Sequence, residues 1–143
     1  MGGGGEGTAF HVGEVMGAPR PRFTKTGRTY MPEKYAAHKE TIASAYRTAG
    51  GAALDGPVSV AIDVARRLPK SRPKRVEEEP DTFKPDVDNV AKSVLDALNG
   101  VAYADDKQVV DLRVTKHPRR RGAPGGMRVS VAPCGGDDKE DKG

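Results

Sequence analysis

The sequence predicts one small α+β domain, close to α/β in the way strands and helices alternate, with a mixed sheet of about four strands and two main helices packed on it. Two observations predict the elements: short stretches in which β-branched residues alternate with polar ones, and two stretches in which apolar residues recur at helical spacing. Size sets the rest, because 143 residues and 15.2 kDa suffice for a single core.

Residues 1–7 (MGGGGEG) are expected to be disordered, since glycine loses much entropy on ordering and brings no side chain to offset it. The single folded body then runs over residues 8–132, and residues 133–143 read as a disordered acidic tail. Residues 9–15 (AFHVGEV) read as a strand. Residues 18–32 (APRPRFTKTGRTYMP) hold Pro19 and Pro21, which forbid a helix, and form an extended basic loop. Residues 33–49 are helical, with Tyr35, Ala36, Ile42, Ala43, Ala45 and Tyr46 as the buried stripe and Gly50-Gly51 as the stop. Residues 57–68 alternate, and Val58, Val60, Ile62 and Val64 share one buried face. Residues 69–81 (PKSRPKRVEEEPD) switch from basic to acidic with no hydrophobic period and read as a mobile loop. Residues 88–99 form the clearest helix, with Ala91, Val94, Leu95 and Leu98 on one face, Asp88 as N-cap and Asn99-Gly100 as terminator. Residues 107–115 and 127–132 are strand-like and flank a second basic, Pro/Gly-rich connection.

Composition excludes several classes. No window approaches the roughly 20 apolar residues that span a bilayer, and the Gly-rich start with Glu6 has no apolar core of a secretory signal. Cys134 is the single cysteine, which rules out an internal disulfide or a cysteine-rich zinc site and fits a reducing, intracellular setting. His11, His38 and His117 are far apart in sequence and are expected at surface or strand positions. The net charge is +4, and the acidic tail hides a more basic body that suits a polyanionic partner.

The chemistry concentrates in residues 84–111 (KPDVDNVAKSVLDALNGVAYADDKQVVD). Pro85 keeps the chain extended before Asp86, so Asp86 and Asp88 are expected on one face. Lys92 follows Asp88 by one helical turn, and the polar side of that helix carries Asp88, Lys92, Asp96 and Asn99. A return strand then brings Asp105-Asp106 back beside the first pair. Hydrolysis of a phosphodiester needs an activated water and charge stabilisation, which Mg²⁺ supplies, with Mn²⁺ as a substitute. Such hard cations take carboxylate oxygens, and converging aspartates repel by about 1–4 kcal/mol per close pair unless a cation offsets them. An EF-hand reading fails, because Ala91 and Ala97 stand where that loop needs glycine and glutamate.

Asp86-x-Asp88-Asn89-x-x-Lys92-x-x-x-Asp96-x-Leu98 followed by Asp105-Asp106-x-Gln108-Val109 resembles the signature of RusA-type Holliday junction resolvases, endodeoxyribonucleases common in phages and prophages. Weaker similarity covers Pro19-Arg20-Pro21-Arg22-Phe23 and the helix from Tyr30 to Tyr46. The resemblance implies a RusA-like fold and a cytoplasmic homodimer in a bacterial or phage-infected cell. It further implies binding to four-way junction DNA and paired, Mg²⁺-dependent nicks in recombination, repair or phage DNA processing. By motif position Asp86, Asp88 and Asp106 would hold the metal, with Lys92 as the basic catalytic residue and Asp105 as the alternative ligand. Adjacent strand residues face opposite ways, so one of Asp105 and Asp106 is expected to reach the ion.

Three basic strips are candidate phosphate contacts: Arg20, Arg22, Lys25 and Arg28; then Arg66, Arg67, Lys70, Arg72, Lys74 and Arg75; then Lys116, Arg119, Arg120 and Arg121. The acids at 77–79 would repel DNA. Two-fold junction symmetry independently favours a homodimer with two cutting sites. The competing functions are a non-catalytic basic DNA-binding module, in which the acids are caps and turns, and a nuclease acting more broadly on flaps and other branched DNA.

Overall fold

The computed structural model describes residues 7–19 and 31–134. The basic strip at Arg20, Arg22, Lys25 and Arg28, the first six residues and the acidic tail from residue 135 lie outside them.

The hydrophobic alternation of residues 57–68 sets the centre of the fold. Strand β2 (Val58–Ala65) buries Val58, Val60, Ile62 and Val64 on one face, as its period-two pattern requires. It pairs in parallel with β4 (Val109–Lys116) and antiparallel with β6 (Gly126–Pro133), and β6 pairs antiparallel with β1 (Thr8–Val12). The sheet order is therefore β1-β6-β2-β4, a mixed sheet of the expected size. A parallel pair needs a crossover, and helix α2 (Val87–Leu98) supplies it between β2 and β4. Helix α1 (Met31–Thr48) packs beside α2. The core joins Phe10, Tyr46, Ile62, Val94, Leu98 and Val129 among others, and Phe10 meets the Tyr46 ring edge-on at 6.0 Å.

Several boundaries differ from the sequence reading. The first strand stops at Val12, because Gly13 to Glu14 leave the sheet and the chain crosses toward α2. In α1, Ile42, Ala43 and Tyr46 are buried as expected, but Ala36 is exposed and Tyr35 only half-buried. His38 takes the inner position instead, contrary to the expectation of a surface or strand histidine. Neither of its ring nitrogens has a hydrogen-bond partner among the described residues. Burial lowers its pKa, opposed by Glu14, whose Oε1 lies 3.9 Å from Nδ1. The last strand runs through Pro133, where a tail was expected, because Val58 pairs with Pro133 and the Cys134 amide donates to the Pro57 carbonyl at 2.8 Å.

The segment 69–81 carries structure as well. Strand β3 (Glu78–Glu79) pairs antiparallel with β5 (Arg119–Arg120), a small second sheet built from oppositely charged strands. Glu79 bonds Arg72 (Nη2 to Oε1, 3.0 Å) and Arg119, and Glu78 bonds Arg120 at 3.1 Å. The acids at 77–79 were expected to repel DNA; Glu78 and Glu79 are instead spent on the chain's own arginines.

Candidate active site

Helix α2 begins one residue earlier than its apolar pattern indicates. Asp86, not Asp88, is the N-cap residue, with extended backbone at φ −72° and ψ 160°. Its carbonyl accepts the amides of Asn89 (3.1 Å) and Val90 (3.0 Å), while no side-chain cap bond forms. Asp88 sits in the first helical turn, so strand alternation does not govern the two carboxylates. Both are exposed at the positive end of the helix dipole. Lys92 is exposed as well, and its Nζ lies 3.4 Å from Asp96 Oδ2, its i+4 partner, rather than pairing back to Asp88. Asp96 also accepts the Tyr35 hydroxyl at 2.7 Å; burial and then that bond push the Tyr35 pKa up. No periodicity in the sequence marks Tyr35 for this role.

Asp105 and Asp106 do not precede the strand directly. Asp106–Gln108 form a 3-10 turn for which Asp105 is the N-cap, its Oδ1 accepting the Lys107 amide at 2.9 Å. Gln108 completes a capping box, its Oε1 accepting the amides of Ala104 and Asp105 and its Nε2 donating to the carbonyls of Leu54 and Gly56. Both carboxylates are exposed, but that of Asp105 is used in capping the turn, whereas Asp106 has no part in the cap. The capping box, rather than strand alternation, separates the two. Its signature, Asp105-x-x-Gln108, was readable in the sequence.

The turn packs against α2, and Tyr103 links them: its hydroxyl donates to the Leu95 carbonyl at 3.0 Å, and burial, then the negative charges of Asp106 and Asp96, raise its pKa. Asp106 is therefore tied to the C-terminal half of α2, whereas Asp86 and Asp88 stand at its start. Among the described residues no three His, Cys, Asp or Glu side chains stand together as a group able to hold a metal ion. The expected three-acid cage is not preformed within the described part of the chain. The donor set is nonetheless all carboxylate oxygen, the chemistry Mg²⁺ takes, and Mg²⁺ usually binds one or two carboxylates and completes its shell with water and phosphate.

The second and third basic strips behave differently from solvated loops. Arg66 donates to both oxygens of Asp81 (2.8 and 2.7 Å), and Lys116 Nζ lies 3.7 Å from the same carboxylate. Arg67 Nε donates to the Ala123 carbonyl, and Arg121 donates to the carbonyls of Pro73 and Val76. With Arg72, Arg119 and Arg120 held by Glu78 and Glu79, Arg67, Lys70, Lys74 and Arg75 are the exposed members of these strips that make no ion pair among the described residues. A cavity of about 590 Å³ between β1 and α1 is lined by Phe10, Glu40, Ser44 and neighbours and touches none of the candidate acids.

The candidate acids of this mixed-sheet domain thus stand on open surface, at a helix start and at a strand-entry turn. Residues 13–131 match the family described as Endodeoxyribonuclease RusA. The chain belongs to the RusA endodeoxyribonuclease family. It is 40% identical over 118 residues to the uncharacterized protein YqaN of Bacillus subtilis, covering 73% of this chain and 82% of that one. It is 30% identical over 112 residues to the crossover junction endodeoxyribonucleases RusA of Enterobacteria phage 82 and of Escherichia coli K12, covering 78% of this chain and 82% of each. No helix among the described residues is long and apolar enough to cross a membrane.

Proposed function

We propose that this protein is a homodimeric endonuclease that resolves Holliday junctions by paired, Mg²⁺-dependent phosphodiester hydrolysis, in DNA recombination, repair or phage DNA processing. One observation carries the reading: Asp86, Asp88, Lys92 and Asp106 are all exposed, on a domain of the RusA family. Acids on open surface suit a duplex arm, which cannot enter a cavity. The crossover junction named for the relatives supports a branched substrate.

Asp86 and Asp88, two residues apart at the start of α2, would hold the ion; Asp106, beside the C-terminal half of that helix, would be a further acid of the site and not a third ligand to the same ion, and Asp105 is confined to capping. When bound, Mg²⁺ supplies an activated water and offsets charge developing on the phosphoryl group. The dipole of α2 favours phosphate at the same end. Lys92 stays exposed beside Asp96, where its ammonium neutralises excess negative charge or meets the scissile phosphate. Two copies about a two-fold axis would place two such sites on the two strands to be cut. A purely DNA-binding module is the weaker reading, because most described arginines of the basic strips are spent on the chain's own acids and carbonyls.

The test is an Asp88→Asn variant assayed on a synthetic four-way junction with and without Mg²⁺, beside flap and duplex substrates. Cleavage should fall by more than about 100-fold while junction binding persists. Cleavage at the wild-type rate would remove Asp88 from the site. Equal cutting of flaps and junctions would favour the broader branched-DNA nuclease.

A further inference from the structure

Lys116 occupies a position where the sheet calls for an apolar residue. In the parallel ladder Ile62 pairs with Val114 and Val64 with Lys116, so Lys116 extends the face that β2 buries. Its side chain is only 10% exposed, and it ends against Asp81, whose carboxylate is fully buried. Lys116 Nζ also donates to two backbone carbonyls, those of Phe83 and of Pro85, the latter at 2.9 Å and immediately before Asp86. Arg66 adds a bond to the Phe83 carbonyl at 3.3 Å, and the Phe83 amide donates back to Asp81 at 3.3 Å. Arg119, held by Glu79, lies over the Phe83 ring at 3.9 Å from its centroid. The connection from residue 81 to Asp86 is therefore fastened at one buried carboxylate, one amide, two carbonyls and one ring.

We propose that Lys116 and Arg66, seated on Asp81, are positioning residues of the nuclease site: they fix the connection that delivers Asp86 into the first turn of α2 and do not serve as phosphate contacts. This rests on the reading of Asp86 and Asp88 as metal-holding acids. A buried ammonium with two carbonyls and a carboxylate around it has few donors left for DNA. Ordering of the loop instead sets where the carboxylates stand before any ion arrives, which is the usual work of residues behind a metal site.

The test compares full-length wild type with Lys116→Met, Lys116→Arg and Asp81→Asn. Junction affinity is measured without metal across a salt series, single-turnover cleavage across a Mg²⁺ series, and amide exchange over residues 83–90. For Lys116→Met and Asp81→Asn, junction affinity should stay within about twofold with the same salt slope, whereas loss of a phosphate contact would lower the slope by about 1. The Mg²⁺ concentration giving half the maximal rate should rise by about 10- to 100-fold, with the rate recovering at high Mg²⁺. Exchange at residues 83–90 should quicken, and Lys116→Arg should restore much of the wild-type Mg²⁺ profile. Weaker junction binding with a flatter salt slope and an unchanged Mg²⁺ profile would overturn the proposal in favour of a phosphate contact. A rate loss that high Mg²⁺ does not rescue would overturn it in favour of a purely structural role. Should Lys116→Met fail to fold, the near-isosteric Asp81→Asn decides by the same readings. Failure of the acids themselves is separate, since it shows as wild-type cleavage by Asp88→Asn whatever the Lys116 variants do.

Discussion

Replacing Asp81 by alanine should cost this domain about 3 kcal/mol. The carboxylate is fully buried, accepts two bonds from Arg66 and one from the Phe83 amide, and has Lys116 at 3.7 Å. Removing one partner of a buried pair typically costs about 3–5 kcal/mol, because the other charge is stranded in a poorly solvated place. Here Arg66 keeps 24% of its side-chain surface exposed and Lys116 keeps its two carbonyls, which puts the value at the low end. With an unfolding entropy of about 2.1 cal/mol/K per residue, 143 residues give about 0.3 kcal/mol per degree, so the Tm should drop by about 10 °C. Thermal unfolding by circular dichroism measures it, and an Arg66→Met/Asp81→Leu cycle isolates the coupling, expected at about 2 kcal/mol. The double variant should be more stable than the summed single losses imply, since neither charge is then left alone. A Tm drop under about 3 °C, the size of a surface pair, would refute the claim that this cluster is a buried anchor.

Acid should act on the same cluster. Burial alone would raise the Asp81 carboxyl, but the Arg66 bond, the Phe83 amide and the charges of Arg66 and Lys116 outweigh it and hold it below the ordinary aspartate range. A depressed carboxylate contributes stability above its unfolded value of about 3.9, and that contribution disappears as pH falls through the lower folded value. His38 acts at milder pH: its lowered pKa means the folded state binds its proton less readily, so stability falls once pH drops below about 6.5. Urea titrations from pH 7 to 5 should show that slope in wild type and lose it in His38→Leu; an unchanged slope would place the titrating group elsewhere. Gly17→Ala tests the other flank of the site, since an added Cβ would come within 2.8 Å of Pro85 Cβ and 2.9 Å of Asn89 Cβ. Cleavage should fall by about 10- to 100-fold through displacement of the Asp86 turn, with a stability loss of about 1–3 kcal/mol, and unimpaired cleavage would show that the turn tolerates the shift.

Much of the fold was legible because its signals are local. The alternation of Val58, Val60, Ile62 and Val64 and the spacing of Val94 and Leu98 report which face is dry, and the structure buries those residues. Helix ends were legible to within a residue or two, with Gly100 at φ +82° closing α2 as its place after Asn99 indicates. His38 was misplaced because a histidine at an inner helix position has no signature apart from its neighbours. The strand entry was misread for a different reason: a capping box and a bulge, with Val110 inserted between the residues that pair with Val58 and Ser59, replaced simple alternation.

The sequence alone determined the residue types that carry the chemistry, the order of the elements and the membership of a junction-nuclease family, since composition, periodicity and motif spacing are properties of the chain itself. Tertiary structure decided which charges are available. Arg66 and Lys116 read as DNA contacts beside Arg119 and Arg120, yet folding brings Asp81, Glu78 and Glu79 against them. Ion pairing acts through space over a few ångströms, so residues 15 to 42 positions apart become partners only once the sheet and its crossover are built.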